Sequence, residues 1–97
     1  MTAYIIADIR VLEPEGYQDY VRQAPAFVAK HGGTYLVRGG DVEVAEGDWQ
    51  PNRLVILRFP SADSARALLE DPGYREIAPL RQDNTQSNLV IVDGYHA

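Results

Sequence analysis

The sequence contains no cysteine. Disulfides, a thiolate nucleophile and any zinc or iron–sulfur centre held by cysteine are therefore excluded. Histidine is nearly as scarce. His31 and His96 are the only two, and neither has carboxylates near it at ligand spacing, so no metal is expected. Positive charge is in the minority: nine lysines and arginines face fourteen aspartates and glutamates, a net charge of −5. That balance argues against a nucleic-acid or anionic-membrane partner, because phosphate binding needs a positive field. No apolar run approaches the ~20 residues of a membrane span. The N-terminus shows no basic region followed by a long apolar run, so a cytoplasmic protein is expected. There is no phosphate-cradling glycine loop and no nucleophile elbow. Ser61 and Ser64 accordingly read as capping residues and not as nucleophiles.

What is present is an ordinary globular chain. Its 97 residues are 45% hydrophobic, enough to exclude global disorder and to build one core, so a single domain over 1–97 is expected. Tyr4 to Val11 alternates as a strand does, with Ile5, Ala7, Ile9 and Val11 on one face and Tyr4, Ile6, Asp8 and Arg10 on the other. Glu13-Pro14-Glu15 opens a helix whose apolar stripe runs through Tyr17, Tyr20, Val21, Ala24, Phe27 and Val28 to His31. Gly32 is a natural left-handed stop. Pro25 falls inside this stripe and cannot donate to the carbonyl of Val21, which predicts a bend or local break.

A second strand is predicted over Thr34–Arg38, with Thr34, Leu36 and Arg38 on one side and Tyr35 and Val37 on the other. Gly39-Gly40 permits a sharp turn or bulge. Val42-Glu43-Val44 could extend a short ribbon that turns at Glu46-Gly47-Asp48. Arg53–Phe59 is a third strand, with Leu54, Ile56 and Arg58 opposite Arg53, Val55, Leu57 and Phe59. Ser61 caps a second helix carrying Ala62, Ala65, Leu68 and Leu69, and Pro72 ends or resets it. Tyr74, Ile77 and Ala78 add a further turn before Pro79, and Leu89–Val92 is the last strand, ended by Gly94. The order βαββαβ with right-handed crossovers predicts an α+β, ferredoxin-like fold: a four-stranded antiparallel sheet with two helices on one face.

Two helices shield one face only. With Ile5, Ala7, Ile9, Val55, Leu57 and Phe59 beneath them, the other face carries Tyr4, Ile6, Leu36, Leu54, Ile56 and either Val90 or Ile91, interrupted by Asp8, Arg38 and Arg58. That surface is too apolar to meet water and too charged for a plain core. A homodimer stacked sheet on sheet about a twofold axis is the economical expectation.

The run Gly32-Gly33-x-Tyr35-Leu36-Val37-Arg38-Gly39-Gly40 is followed by Glu46-Gly47-Asp48-Trp49-x-Pro51-x-Arg53, by Phe59-Pro60-Ser61, by Asp71-Pro72-x-Tyr74 and by Arg81. Together these resemble the family called domain of unknown function 1330. The resemblance covers nearly the whole chain and implies a dimeric α+β barrel. That architecture is shared with cofactor-free monooxygenases, haem-degrading enzymes, muconolactone isomerases and stress-responsive barrel proteins. Leu68-Leu69 departs from the pattern where relatives carry an aromatic residue, and Pro25 is unusual.

The candidate ligand-binding residues are Arg38, Asp8, Arg81, Tyr4, His31 and Tyr74, and no catalytic residue is assigned. Arg38 can clamp a carboxylate bidentately, or pair structurally with Asp8 or Glu43. Asp8 can act as a base if buried, or as a charged partner if an arginine lies alongside. His31 can point into a pocket mouth or simply complement the helix dipole; haem ligation by it is not expected. His96, near the terminus, is expected to be solvated. Tyr4, Tyr20, Trp49 and Tyr74 can wall an aromatic cavity. Tyr20 reads equally as helix-to-sheet core. Trp49, with Leu36 and Ile56, is a candidate dimer contact, since tryptophan is enriched at interfaces. Arg81 can reach Asp83, a helix-end carbonyl or a pocket rim.

A small dimer binding an organic acid or aromatic, without a cofactor and conceivably catalytic, is the expected function. The alternative is a non-catalytic assembly module whose charges only set dimer register. RNA binding shares the element order but not the basic balance or the aromatic signature.

Overall fold

The alternating segment Ala3–Val11 forms β1, one of the two inner strands of the sheet. Ala3, Ile5, Ala7 and Ile9 are buried under the helices, and the residues between them face the other way. The computed structural model describes residues 1–95, and His96 lies outside them. The remaining elements are α1 (Pro14–Lys30), β2 (Thr34–Arg38), β3 (Arg53–Phe59), α2 (Ala62–Glu70), α3 (Pro72–Gln82) and β4 (Thr85–Asp93). The sheet is antiparallel in the order β2-β3-β1-β4. Ile5 lies opposite Leu57 and Ile91, and Ala7 opposite Val55 and Leu89, so one face of three strands is continuous hydrocarbon. Val90 and Val92 take the open face and are partly exposed. Phe59, Ile5 and Leu68 are the largest fully buried side chains. Gly33 sits where any side chain would strike Phe59 and Val28, which is why the α1–β2 connection can press against the core.

Four local expectations are corrected. First, β2 contains a bulge between Tyr35 and Val37. Tyr35 lies opposite Leu57, but Val37 lies opposite Ile56 and Arg38 opposite Val55. The extra residue reverses the alternation, so Arg38 faces the helices and not the open side. Second, α1 runs unbroken through Pro25, and α3 continues through Pro79 to Gln82, giving three helices on the covered face. Third, Val42–Val44 forms no ribbon and belongs to an exposed irregular segment. Fourth, β4 begins at Thr85, because pairing from Val11↔Thr85 to Ala3↔Asp93 recruits a polar stretch that its own composition does not mark as strand.

The junction of α2 and α3 is held by Asp71, which is buried. Its Oδ1 accepts from the backbone N–H groups of Gly73 at 2.8 Å and Tyr74 at 3.3 Å, capping α3. Its Oδ2 accepts from Lys30 Nζ at 2.8 Å and His31 Nε2 at 2.7 Å, tying in the end of α1. Lys30 first, then His31, hold the carboxyl far below the usual carboxylate range.

Asp71→Ala is expected to lower the thermal unfolding midpoint more than Ser61→Ala, which removes only the α2 cap on Ser64 N, a loss of about 1 kcal/mol. Because the folded carboxyl is more acidic than the unfolded one, its contribution is complete above the unfolded value of about 3.9 and fades as the pH falls below it. Circular-dichroism melts from pH 6 to pH 2 should show a flatter acid dependence for Asp71→Ala than for the parent. Parallel curves would contradict this role.

Candidate functional site

The spacing of α1 brings Tyr17, Tyr20, Val21, Ala24 and Val28 over the sheet, and a cavity lies between them. Its volume is about 40 Å³, room for about three waters. The floor is Ile5, Ala7, Ile9, Val55, Leu57 and Leu89, all on the covered face of the strands. Tyr17, Tyr20 and Tyr74 come from the helices and Tyr35 from β2. Beside it opens a wider vestibule of about 410 Å³, lined by Leu69, Tyr74, Arg75, Ala78, Arg81, Gln82 and Leu89. Leu69, Tyr74, Arg81 and Leu89 border both spaces.

The tyrosines form a connected wall. Tyr17 stacks on Tyr20 with centroids 5.9 Å apart and planes at 19°. Tyr20 meets Tyr74 edge-on at 6.2 Å, and their hydroxyls are 2.7 Å apart. Burial first, then the Tyr74 hydroxyl, push the Tyr20 phenol far above its ordinary value, so it stays protonated. Burial also raises Tyr35.

Three arginines reach this wall. Arg38 lies over the Tyr35 ring at 4.6 Å, Arg53 over Tyr17 at 5.8 Å and Arg81 over Tyr20 at 5.9 Å, all within cation–π range. Arg53 Nε also donates to the Tyr17 hydroxyl at 3.2 Å. The Arg53 guanidinium lies across Gly39, whose φ of +74° and absent side chain leave that space open. Arg81 donates from Nη1 to Ser87 Oγ at 2.9 Å. Arg38 Nη2 donates to the Val21 carbonyl at 2.8 Å. That carbonyl is the one Pro25 leaves without its helical donor. The guanidinium thus replaces the missing N–H, and α1 needs no break. Among the described residues none of these arginines joins an ion pair, and no carboxylate or histidine lines either space.

Of the six candidate ligand residues, Arg38, Arg81 and Tyr74 meet at the cavity. Asp8 and Tyr4 do not, because alternation along β1 sends them to the open face. His31 is engaged with Asp71 and lines neither space. Asp8 accepts from Trp49 Nε1 at 3.1 Å and from Asn52 N at 2.8 Å, pinning the segment before β3 across the open face. Trp49 remains 62% exposed and Leu36 48% exposed, and Ile56 is half-buried on that face. Arg53 and Tyr17 complete the site without having been singled out as site residues. The readable signal for Arg53 was an arginine in phase with Val55, Leu57 and Phe59. Tyr17 was legible only as the first member of the α1 stripe. No group of three histidines, aspartates or glutamates placed to hold a metal occurs among the described residues, and no helix there is long and apolar enough to cross a membrane.

A family described as "Domain of unknown function (DUF1330)" matches residues 2–95. No curated protein matches. Among solved structures, the chain is similar to a protein of unknown function from Rhodopseudomonas palustris, at TM-score 0.81 and 20% identity over 99% of this chain and 84% of that one. It is similar to SnoaB, a cofactor-independent oxygenase from Streptomyces nogalater, at TM-score 0.66 and 16% identity over 99% and 95%. It is also similar to a dimeric ferredoxin-like protein of unknown function from Jannaschia sp. CCS1, at TM-score 0.63 and 13% identity over 97% and 100%. At these identities the likeness is one of fold.

Pro25→Ala supplies the donor that Val21 lacks, so Arg38→Ala should cost less stability in that background than alone. A double-mutant cycle by urea unfolding is expected to give a coupling of about 0.5–1.5 kcal/mol between the two positions. Strictly additive effects would show that Arg38 does not stand in for the absent N–H.

Proposed function

The chain belongs to the DUF1330 family, and from its arginine–tyrosine cavity we propose that it is a homodimer that binds a small organic anion. The observation that carries this reading is uncompensated charge. Arg38, Arg53 and Arg81 surround a cavity without a carboxylate, in a chain whose net charge is −5. Guanidinium groups cannot discharge by losing a proton, and removing one from water is costly unless an anion accompanies it. That cost falls on Arg81, which is buried, more than on half-buried Arg53 or exposed Arg38. A carboxylate is the natural partner, with an apolar or flat body against the tyrosine rings.

Size constrains where that body lies. A cavity holding benzene measures about 150 Å³, well above the 40 Å³ of the inner space. The vestibule, at about 410 Å³, falls within the usual range for ligand sites of roughly 300–1,000 Å³. The ligand therefore occupies the vestibule and sends at most a small group inward, unless Arg38 leaves the Val21 carbonyl and opens the other rim. General acid–base catalysis near neutrality needs a group that titrates there. The lining offers arginines and tyrosines, with Tyr20 and Tyr35 pushed upward. Binding is thus better supported than proton transfer by the protein. The likeness to a cofactor-independent oxygenase favours a second reading, in which a bound aromatic substrate supplies its own reactive electrons and the cavity excludes water.

The dimer forms through the open face of the sheet. Ile6, Leu54 and Ile56 are half-buried there, while Val90 at 54% exposure and Val92 beside it are left to water. A second copy would cover them, and the dimeric ferredoxin-like neighbour supports that arrangement. Arg38 and Arg81 lie on the other side, so their charges are not register devices for such an interface, which weighs against a purely structural role. Trp49, held by Asp8, reaches the partner at its edge.

At matched ionic strength, a panel of benzoate, succinate, phosphate and sulfate is expected to include an anion that raises the unfolding midpoint. At a hundredfold excess over Kd the gain is about 2.7 kcal/mol. Arg53→Ala should reduce it without altering the oligomer, and a flat response across the panel would overturn the reading. Ile56→Asp should give a monomer in analytical ultracentrifugation, Trp49→Ala a dimer that dissociates more readily on dilution, and Arg38→Ala an intact dimer. An unmodified protein that sediments as a monomer would refute the interface.

A further inference from the structure

We propose that the Nε–H/Nη2–H edge of Arg81 is a carboxylate seat, and that the ligand is a monocarboxylic acid whose flat apolar body lies in the vestibule beside α3 and β4. This deepens the anion-binding reading and rests on it. Arg81 is only 9% exposed. Its Nη1 is committed to Ser87 Oγ at 2.9 Å, and its guanidinium is flanked by the Tyr20 ring at 5.9 Å. Its Nε is buried and has no hydrogen-bond partner among the described residues. No contact there engages Nη2 either. Nearly every buried polar group in a folded protein has a partner, so a charged donor left without one points to a missing acceptor.

The edge left free has the right shape for a particular acceptor. Nε–H and Nη2–H are parallel donors on one side of the guanidinium, and they match the two oxygens of a carboxylate in a single plane. The edge is also held in place. Thr85 Oγ1 donates to the Arg81 carbonyl at 2.6 Å and lies 3.2 Å from Ser87 Oγ, so the start of β4 fixes both the backbone and the far end of the side chain. Such preorganisation spares the ligand the entropy of ordering a long side chain.

The surroundings select the rest of the ligand. Arg81 borders both the narrow tyrosine cavity and the vestibule. Around it the vestibule offers Leu69, Ala78 and Leu89 as apolar surface, the Tyr74 ring as a wall, and Arg75 and Gln82 as polar groups. No acidic side chain lines it. A planar acid of benzoate's size would fit this space and could not fit the inner cavity. The small inner cavity would hold ordered water beside the carboxylate and the Tyr20–Tyr74 hydroxyl pair.

The test titrates benzoate, and benzamide as its neutral isostere, into the full-length protein while the Arg81 Nε–H resonance is followed by 1H–15N NMR. Absence of one peak in Arg81→Lys identifies the resonance. Benzoate is expected to move this proton downfield and to protect it from exchange, and benzamide to leave it in place. Arg81→Lys keeps the charge but not the fork, so it should weaken benzoate roughly tenfold or more, as expected for loss of a charge-assisted hydrogen bond. Should that variant fail to fold, the resonance is assigned by through-bond correlation from the Arg81 backbone, and the unmodified protein decides alone. Benzoate binding with the Arg81 Nε–H unmoved, or equal shifts with benzamide, would overturn the seat while leaving anion binding at Arg38 and Arg53 intact. Binding of sulfate or phosphate without benzoate would overturn it as well. If no anion binds at all, both readings fall.

Discussion

Three guanidinium groups lie over three tyrosine rings around one small cavity, and the charged part of this structure depends on that pairing. An aromatic face attracts a cation without neutralising it. Arg38, Arg53 and Arg81 are therefore held in place with their charge still available. An aspartate in the same position would have fixed them more firmly and consumed the field they create. Among the described residues, the acidic side chains that engage in hydrogen bonds do so elsewhere: Asp71 at the junction of the helices, Asp8 on the opposite side of the sheet, and Asp19 and Asp63 with Arg22 and Arg66 on the helix surfaces. The lining of the cavity therefore carries positive charge with no carboxylate among its residues.

Two interruptions of regular structure set up that arrangement. Pro25 removes a donor from the middle of α1, and the bulge in β2 brings in a replacement. Neither feature makes sense without the other. A helix lacking one N–H would expose a carbonyl at the mouth of an apolar cavity, and an arginine turned inward by a bulge would lack an acceptor. Gly39 follows directly, and its left-handed backbone lets Arg53 lie beside the same rim. The α1–β2–β3 corner is thus one unit, in which irregular backbone positions two of the three charges.

The sheet's other side follows a different logic. Asp8 draws the segment that carries Trp49 across it, and the exposed valines of β4 lie at its edge. Apolar surface of this kind, broken by a few charges, is the usual composition of a surface meant for another protein. The two faces of the sheet are in this way chemically distinct: one lies under the helices and carries the arginine–tyrosine cavity, the other is an open apolar surface broken by a few charges.

Much of this was legible in the residues. Alternation over Tyr4–Val11 and Arg53–Phe59 sorted the residues of each strand onto two sides correctly, because a strand has a period of two. With both sides apolar, which one the helices cover was an assumption that the burial of Ile5, Ala7, Ile9, Leu57 and Phe59 bears out. The helical stripes, the Ser61 cap and the reset at Pro72 were readable from local chemistry. What could not be read were facts about neighbours. An inserted residue leaves no trace in a five-residue pattern, so the inward turn of Arg38 appeared only when β2 was laid against β3. The polar start of β4 became strand because β1 was there to pair with it. Tyr17 and Arg53, 36 positions apart, met because α1 crosses the sheet above β3. Local periodicity decided most of the elements and which residues of β1 and β3 share a side. Which charges share a cavity, and that no carboxylate joins them, was decided by tertiary packing alone, since distance through space is not a property of any short stretch of chain.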